Sequence, residues 1–207
     1  MVDTRRLRVW IGWLGMALPW IVVLLQLLNP TFKWPASISA TWYTNACTPF
    51  MIILGAAGIL LMCYRGYDKV DDVLNTCGGF FGLLICLFPC WGGGYKAVDP
   101  VGTFLIPTQT SNVIHSIAAF VFFGILAYNS FFQFTKTSGE MTRNKKIRNI
   151  IFRICGAGML LSFGMLLLPS FSIRIWLMEA IALFFFGISW LTKAGCYPWL
   201  FADEKKV

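Results

Sequence analysis

Residues 173–192 read IRIWLMEAIALFFFGISWLT, a largely apolar run that ends just before Lys193. A helix needs ~20 residues to cross the ~30 Å hydrocarbon core of a bilayer, so this run predicts one transmembrane helix. Five earlier runs share its length and character, at about 9–28, 46–64, 73–91, 113–134 and 150–168. The sequence therefore predicts an all-α fold: a polytopic bundle of six transmembrane helices that forms a single integral membrane domain over residues 1–207.

The composition also indicates a membrane protein. Of the 207 residues, 57% are hydrophobic and 13% are charged, and the mean hydropathy is +0.69. Soluble domains carry about 25% charged residues, so lipid must cover much of this surface. We expect a multi-pass protein of a plasma or inner membrane, or of an organelle membrane in a eukaryote. The first run follows three arginines without a small-residue cleavage site, which predicts a retained helix.

The basic residues predict the orientation of the bundle. Of the 17 Lys and Arg residues, only Lys33, Lys96 and Arg174 fall in the three loops on one side. The other 14 fall in the two tails, in the loops at 65–72 and 135–149, or close beside them. Cytoplasmic loops carry the excess of positive charge, so both termini are expected in the cytoplasm. The net charge of +8 then reflects topology, and no nucleic-acid partner is expected.

Residue types exclude several kinds of chemistry. His115 is the only histidine, which excludes haem held by two histidines and multi-histidine zinc sites. The seven cysteines form no CxxC pair and no Gly-rich nucleotide loop is present, so no metal, cofactor or catalytic set is assigned. Cys47 opens the second helix and Cys90 closes the third at the outer face, so a disulfide is feasible there. Two unpaired thiols are the alternative.

Two ionisable residues fall inside predicted spans near their outer ends. Ionisable groups within a membrane are expensive and often functional. Glu179 is too short to reach the headgroups easily, and His115 lies at a similar depth. We expect a hydrogen bond between them, serving either as a structural clasp between helices or as a ligand site. Arg174, five residues before Glu179, is expected at the level of the outer headgroups.

The first outer loop, PASISATWYTN at 35–45, is a second concentration of polar residues on the same side. Short hydroxyl side chains cap helix ends, and they also bind lipid phosphates. Ser37 and Ser39 would point the same way if the segment is extended. Together with the three ionisable residues, these serines define a predicted polar pocket on the outer side.

Three short segments occur in order along the chain: PASIS at 35–39, YRGYD at 64–68 and HSIAA at 115–119. This combination resembles the Frag1/DRAM/Sfk1 superfamily over roughly residues 9–192. The resemblance implies a six-helix membrane protein, like the prokaryotic members of unknown function, tied to lipid handling or membrane homeostasis. Some relatives take part in GPI-lipid remodelling. It implies Ser37, Ser39 and His115 as positions to carry over, without an established catalytic mechanism.

We predict that the outer pocket binds a lipid headgroup or a small amphiphile. Membrane lipids are the expected partners, with a second copy of the chain or another membrane protein as a further partner. His115 would meet an anionic headgroup, Arg174 would attract it, and Glu179 would orient His115. Two alternatives stay open: a lipid transferase or hydrolase with His115 as general base, and a proton-coupled transporter or oligomeric channel using Glu179. No nucleophile is evident beside His115, so an enzyme is the less favoured reading.

Overall fold

The computed structural model describes residues 4–137 and 139–202, and most of them are helical. The six α-helices are α1 (Thr4–Gln26), α2 (Cys47–Cys63), α3 (Lys69–Leu87), α4 (Thr108–Tyr128), α5 (Arg143–Ser162) and α6 (Arg174–Lys193). Short 3₁₀ turns occupy Ser39–Tyr43, Phe163–Leu167 and Pro198–Phe201, and a π turn at Asn129–Gln133 continues α4. Two strands, β1 (Pro100–Val101) and β2 (Ile106–Pro107), form a small antiparallel hairpin.

Five of these helices are long and apolar enough to cross a membrane, namely α1, α3, α4 with its π turn, α5 with its 3₁₀ extension, and α6. The helix α2 is apolar but has only 17 residues, which corresponds to a length of about 26 Å. The predicted helical membrane bundle is thus confirmed at the level of six helices, five of which have the length of a membrane span.

The helices form a closed ring. Each helix packs against the next one in sequence, and α1 packs against α6 to complete the circle. The buried core is rich in large side chains, including Phe50, Phe122, Met159, Phe186 and Trp190. Among the five candidate spans, α6 has the largest buried share, since 61% of its apolar 18-residue stretch is buried inside the protein. Its polar residues therefore meet protein more often than lipid.

The two ends of the ring differ in charge. At one end Arg5 Nε donates to the carbonyl of Ala194 over 3.2 Å, which joins the start of α1 to the end of α6. We call this the basic end; α1, α3 and α5 begin there. At the other end the backbone N–H of Trp176 donates to Ala36 O over 3.0 Å. We call this the hairpin end, because β1 and β2 lie there. It corresponds to the outer side of the sequence prediction.

Four helices, α1, α3, α4 and α5, begin four to seven residues before their predicted apolar runs, and side-chain caps explain the starts of two of them. The helix α3 begins at Lys69 rather than near 73, because the carboxylate of Asp68 accepts from Asp71 N and caps its first turn. The helix α5 begins at Arg143 rather than near 150, because Thr142 Oγ1 caps Lys145 N. Hydropathy marks where a helix meets lipid, whereas caps decide where it starts. Much of the predicted basic loop at 135–149 is therefore helical.

The β hairpin was not predicted, since an all-α chain was expected. Three glycines at positive φ accompany it: Gly93 (φ 64°) and Gly94 (φ 78°) precede it, and Gly102 (φ 73°) lies between its strands. Glycine adopts this left-handed region without steric cost, so the chain can reverse sharply between α3 and α4. The hairpin is only two residues long on each strand and leaves the fold essentially helical.

The closest helix contact lies between α2 and α3, at Gly58 and Gly79. A Cβ added to Gly79 would overlap the carbonyl oxygen of Gly58 and the side chain of Met62. A Cβ added to Gly55, one turn before Gly58 on α2, would meet nothing within 4 Å. Small residues allow helix backbones to approach closely in a membrane. Gly79 is required by this contact, whereas Gly55 is not.

Replacing Gly79 by Ala should therefore lower the free energy of unfolding by about 1–3 kcal/mol, the usual cost of overpacking. Gly55→Ala also adds one methyl group, but at a position on α2 where it meets no neighbour. It should leave the free energy of unfolding unchanged or slightly higher. Thermal unfolding of the purified protein in detergent measures both. Equal stability of the two variants would contradict the close contact.

Candidate functional site

The segment from Ala36 to Tyr43 folds back into the hairpin end of the ring. Ile38 is 3% exposed and Thr41 is fully buried, although both lie outside the long helices. The segment turns as a 3₁₀ helix over Ser39–Tyr43 instead of running extended. Non-helical backbone at such a depth needs hydrogen-bond partners, because water does not reach it. The polar side chains around it supply them.

Glu179 on α6 is the main partner of this segment. Its Oε2 accepts a hydrogen bond from the backbone N–H of Ile38 over 2.6 Å. The backbone N–H and the hydroxyl of Ser39 also interact with the same carboxylate. These groups are the free N–H groups at the start of the 3₁₀ turn, so Glu179 acts as a cap supplied by another helix. Only 8% of Glu179 is exposed, and this contact accounts for its burial.

Ser37 and Tyr43 secure the two ends of the same turn. Ser37 Oγ accepts from the backbone N–H of Ala40 over 2.9 Å and also interacts with the thiol of Cys90. Tyr43 donates its phenolic O–H to the carbonyl of Cys90 over 2.7 Å. Burial raises the pKa of Tyr43 to about 12, so the phenol keeps its proton at neutral pH and remains a donor. The folded-back segment is thereby attached to the end of α3.

His115 on α4 holds the other irregular stretch at this end. Its Nδ1 lies 2.7 Å from the carbonyl oxygen of Phe88, and because a carbonyl only accepts, Nδ1 carries the proton. The ring also interacts with the carbonyl of Ile85. Residue 89 is a proline without an N–H, so the Ile85 carbonyl lacks its usual helical donor. One turn earlier on α4, Ser111 Oγ donates to Pro89 O over 2.8 Å.

The predicted hydrogen bond between Glu179 and His115 is absent from the described part of the chain. Each side chain has its own backbone partner: Glu179 holds Ile38, and His115 holds Phe88. The two residues lie at the same end of the ring, but each has a different partner. A helix end broken by proline and a buried turn both present unpaired backbone groups, and these compete successfully for the two side chains.

The extended conformation considered for Ser37 and Ser39 is also wrong. The chain curls at Ile38, so Ser37 turns back to Ala40 N while Ser39 faces Glu179. The two serines lie 7% and 6% exposed and belong to one buried network, yet they do not present their hydroxyls as a pair. Ser37 caps the turn, which is one of the two roles considered for the short hydroxyls, whereas the Ser39 hydroxyl interacts with Glu179.

Cys47 and Cys90 carry free thiols in the structure. The Sγ of Cys47 lies 3.8 Å from Met51 Sδ, while the thiol of Cys90 interacts with Ser37. Burial, with a smaller contribution from the Glu179 carboxylate, raises the pKa of Cys90 to about 12. Only the thiolate takes part in disulfide exchange, so this environment disfavours a bridge at Cys90.

A cavity of about 30 Å³ lies beside Glu179 and Ser39. Its other lining residues are almost all apolar, among them Leu18, Phe50 and Phe122. This volume holds about one or two water molecules. It is far smaller than the several hundred Å³ of ordinary ligand pockets. This cavity beside Glu179 is therefore too small for a lipid headgroup.

Arg174 lies apart from this network and lines a surface pocket of about 310 Å³. The pocket also contains Ser170, Ser172, Ala36 and the apolar residues Phe171 and Ile175. One terminal nitrogen of Arg174 donates to the carbonyl of Leu168 over 2.6 Å and lies 3.4 Å from that of Leu166. Its Nε is buried and has no acceptor in the described part of the chain. Arg174 thus retains hydrogen-bonding capacity that these residues do not use.

Sequence reasoning missed a second group of buried polar residues, which lies toward the basic end. Asp71 accepts from Asn75, whose own oxygen accepts from Asn129 over 3.1 Å. Ser130 Oγ and Ser189 Oγ lie 2.6 Å apart. Asn75 and Asn129 fall in the third and fourth predicted helices, but their spacing along the chain gives no pairing. The signal that could have found them is the presence of two amides at matching depths on adjacent helices.

Replacing Glu179 by Leu should leave Ile38 N–H buried without an acceptor. We expect the free energy of unfolding to fall by about 1–3 kcal/mol and amide hydrogen exchange to accelerate in residues 36–43. Glu179→Gln keeps a carbonyl oxygen at the same place, so its loss should be nearer 1 kcal/mol. Hydrogen exchange followed by mass spectrometry, together with thermal unfolding, reads out both effects.

His115→Ala provides the comparison for this test. It should accelerate exchange around 85–91 and leave 36–43 protected, because His115 holds a different segment. Losses in Glu179→Gln and His115→Ala should add within about 0.5 kcal/mol in the double variant. A coupling energy clearly above that value would indicate a direct interaction between Glu179 and His115. It would contradict the separate roles described above.

Comparison with known proteins provides no family for this chain. No family model matches it, and no significantly similar curated protein or solved structure was found.

Proposed function

We propose that this chain spans the membrane six times, with both termini in the cytoplasm. The short α2 packs between α1 and α3 within the ring, so it runs alongside two helices of full length. Its 17 residues correspond to about 26 Å, and Ala46 and Tyr64 extend the apolar stretch at either side. The positive-inside rule then assigns the basic end to the cytoplasm and the hairpin end to the outer face.

We further propose that the outer face binds the anionic headgroup of a membrane lipid at Arg174. The observation that supports this proposal is the pocket of about 310 Å³ that combines the Arg174 guanidinium with two exposed serines, Ser170 and Ser172. Guanidinium groups and hydroxyls are strong donors to phosphate oxygens. The unpartnered Nε of Arg174 gives such an anion a donor that the protein leaves unused.

The surface beside the pocket suits the chains of a lipid. Leu167 is 89% exposed, and Leu166, Leu168, Phe171 and Ile175 are also exposed. A contiguous apolar surface below a cationic pocket matches a molecule with an acyl chain and an anionic head. A soluble anion would make no use of the apolar residues. Lipid binding therefore explains both halves of this site.

Under this proposal the other predicted site residues support the site indirectly. Glu179 and Ser39 hold the folded-back segment, and Ala36 of that segment lines the Arg174 pocket. The backbone N–H of Trp176, which follows Arg174 on α6, is bonded to Ala36 O. The resemblance to the Frag1/DRAM/Sfk1 superfamily agrees with a role in lipid handling or membrane homeostasis. Association with a second copy or another membrane protein remains a prediction.

Arg174→Gln should weaken binding of phosphatidylglycerol about 10- to 100-fold, the equivalent of one charged hydrogen-bonding contact. Arg174→Lys keeps the positive charge but loses the planar guanidinium, which can donate two parallel hydrogen bonds. It should weaken lipid binding by an intermediate factor. Lys96→Gln removes one exposed positive charge at the same end and should have no effect. Native mass spectrometry with titrated lipid measures the affinities, and thermal unfolding checks that each variant is folded. Equal affinity of Arg174→Gln and Lys96→Gln would refute the site.

The orientation has its own test. In a background without native cysteines, Val98→Cys in the hairpin-end loop should react with an impermeant maleimide added to intact cells. Thr137→Cys, in the loop after α4, should react only after the membrane is opened. External labelling of Thr137→Cys would show that the topology is the reverse of the proposed one, with the Arg174 pocket on the cytoplasmic side.

A further inference from the structure

Two cations with unused donors lie side by side at the basic end, where α1 begins and α6 finishes. Arg8 donates from one terminal nitrogen to the carbonyl of Lys193 over 3.3 Å. Its guanidinium lies 5.6 Å from the centre of the Tyr64 ring. The Nε of Arg8 is buried and has no acceptor among residues 4–137 and 139–202. A guanidinium taken out of water with an unpaired N–H is costly unless something else accepts from it.

Lys193 presents the second set of free donors. Its Nζ lies 5.0 Å from the centre of the Phe134 ring, so the ammonium rests on an aromatic face. Among the described residues, 4–137 and 139–202, no acceptor is hydrogen-bonded to Nζ and no acid is paired with it. An ammonium group can donate three hydrogen bonds. Arg8 is close enough to this ammonium to repel it.

The electrostatic balance around Lys193 is strongly positive. Arg8, Lys145 and Arg148 all repel its ammonium, and within the described chain Asp71 is the acid that attracts it. The Asp71 carboxylate already accepts from Tyr67 N over 2.9 Å and from Asn75 Nδ2 over 2.7 Å. Like charges brought together in a partly buried site raise its free energy. A bound anion would relieve the repulsion and accept the free donors.

We propose that Arg8 and Lys193 form a binding site for a phosphate group at the basic end of the bundle. A phosphate offers several acceptor oxygens, enough for the Arg8 Nε and the Lys193 ammonium together. Lys145 and Arg148 add to the attracting potential from α5, while their own hydrogen bonds go to Phe134 O and Leu200 O. The phosphate belongs either to an anionic lipid or to a free cytoplasmic anion.

The position of this site agrees with the headgroup level of a membrane. Trp10 and Trp199 are 59% and 67% exposed, and Trp10 follows Arg8 by half a turn on α1. Tryptophan is enriched where hydrocarbon meets the headgroups. The inference does not rest on the Arg174 site, which lies at the opposite end of the ring and is removed by a different variant.

The test uses the full chain in nanodiscs and three charge-neutral variants. Lys193→Gln and Arg8→Gln each remove one proposed donor group, whereas Lys69→Gln removes an exposed charge at the same end as a matched control. Native mass spectrometry measures binding of phosphatidylglycerol against phosphatidylcholine, and phosphorus NMR measures binding of inorganic phosphate. Thermal unfolding identifies variants that fail to fold, and Lys193→Arg then serves as the charge-retaining alternative.

Wild-type protein and Lys69→Gln should bind the anionic probe with equal affinity, and Lys193→Gln and Arg8→Gln should bind it about tenfold more weakly. Lys193→Arg should retain most of the affinity. Selective binding of phosphatidylglycerol identifies the source as lipid, and selective binding of inorganic phosphate identifies it as a soluble anion. The proposal is overturned if folded Lys193→Gln and Arg8→Gln bind both probes as well as Lys69→Gln does.

Discussion

The hairpin end depends on the hydrogen bond between the Glu179 carboxylate and the backbone N–H of Ile38. An apolar ring of helices cannot contain irregular backbone unless each buried N–H and C=O has a partner. The segment at 36–43 enters the ring as a 3₁₀ turn, and its first N–H groups would be unpaired without Glu179. The Glu179 carboxyl group is therefore tolerated inside α6 because it accepts hydrogen bonds from buried backbone N–H groups. Those N–H groups are tolerated in the core because Glu179 is their acceptor.

The same constraint explains the neighbouring polar residues. Pro89 interrupts α3 and leaves carbonyl groups without donors, and His115 and Ser111 on α4 supply those donors. Tyr43 then joins the folded-back segment to the end of α3. Polar side chains that looked like a ligand site are thus occupied by the protein itself. The proposed ligand site instead uses Arg174, whose Nε has no acceptor in the described part of the chain.

The two ends of the ring share a chemical preference. Arg174 at the hairpin end, and Arg8 and Lys193 at the basic end, are cations with buried or shielded donors and no carboxylate bonded to them in the described chain. Both places lie beside exposed apolar side chains. A cavity of about 30 Å³ lies in the core beside Glu179. The two proposed sites thus lie at opposite ends of the ring.

The sequence by itself determined the helical membrane fold, the approximate limits of the helices and the separation of charge between the two ends. These properties follow from composition along the chain, because apolar length and the placement of Lys and Arg act locally. The sequence also identified Glu179 and His115 as unusual, since ionisable groups are costly at their predicted depth, and it placed Arg174 at the headgroup level. Only the tertiary structure decided what they contact: Ile38 is 141 residues from Glu179 along the chain. Such pairings depend on which unpaired backbone groups the folded ring brings within about 3 Å of a side chain. The spacing of residues along one helix does not predict these contacts between distant segments.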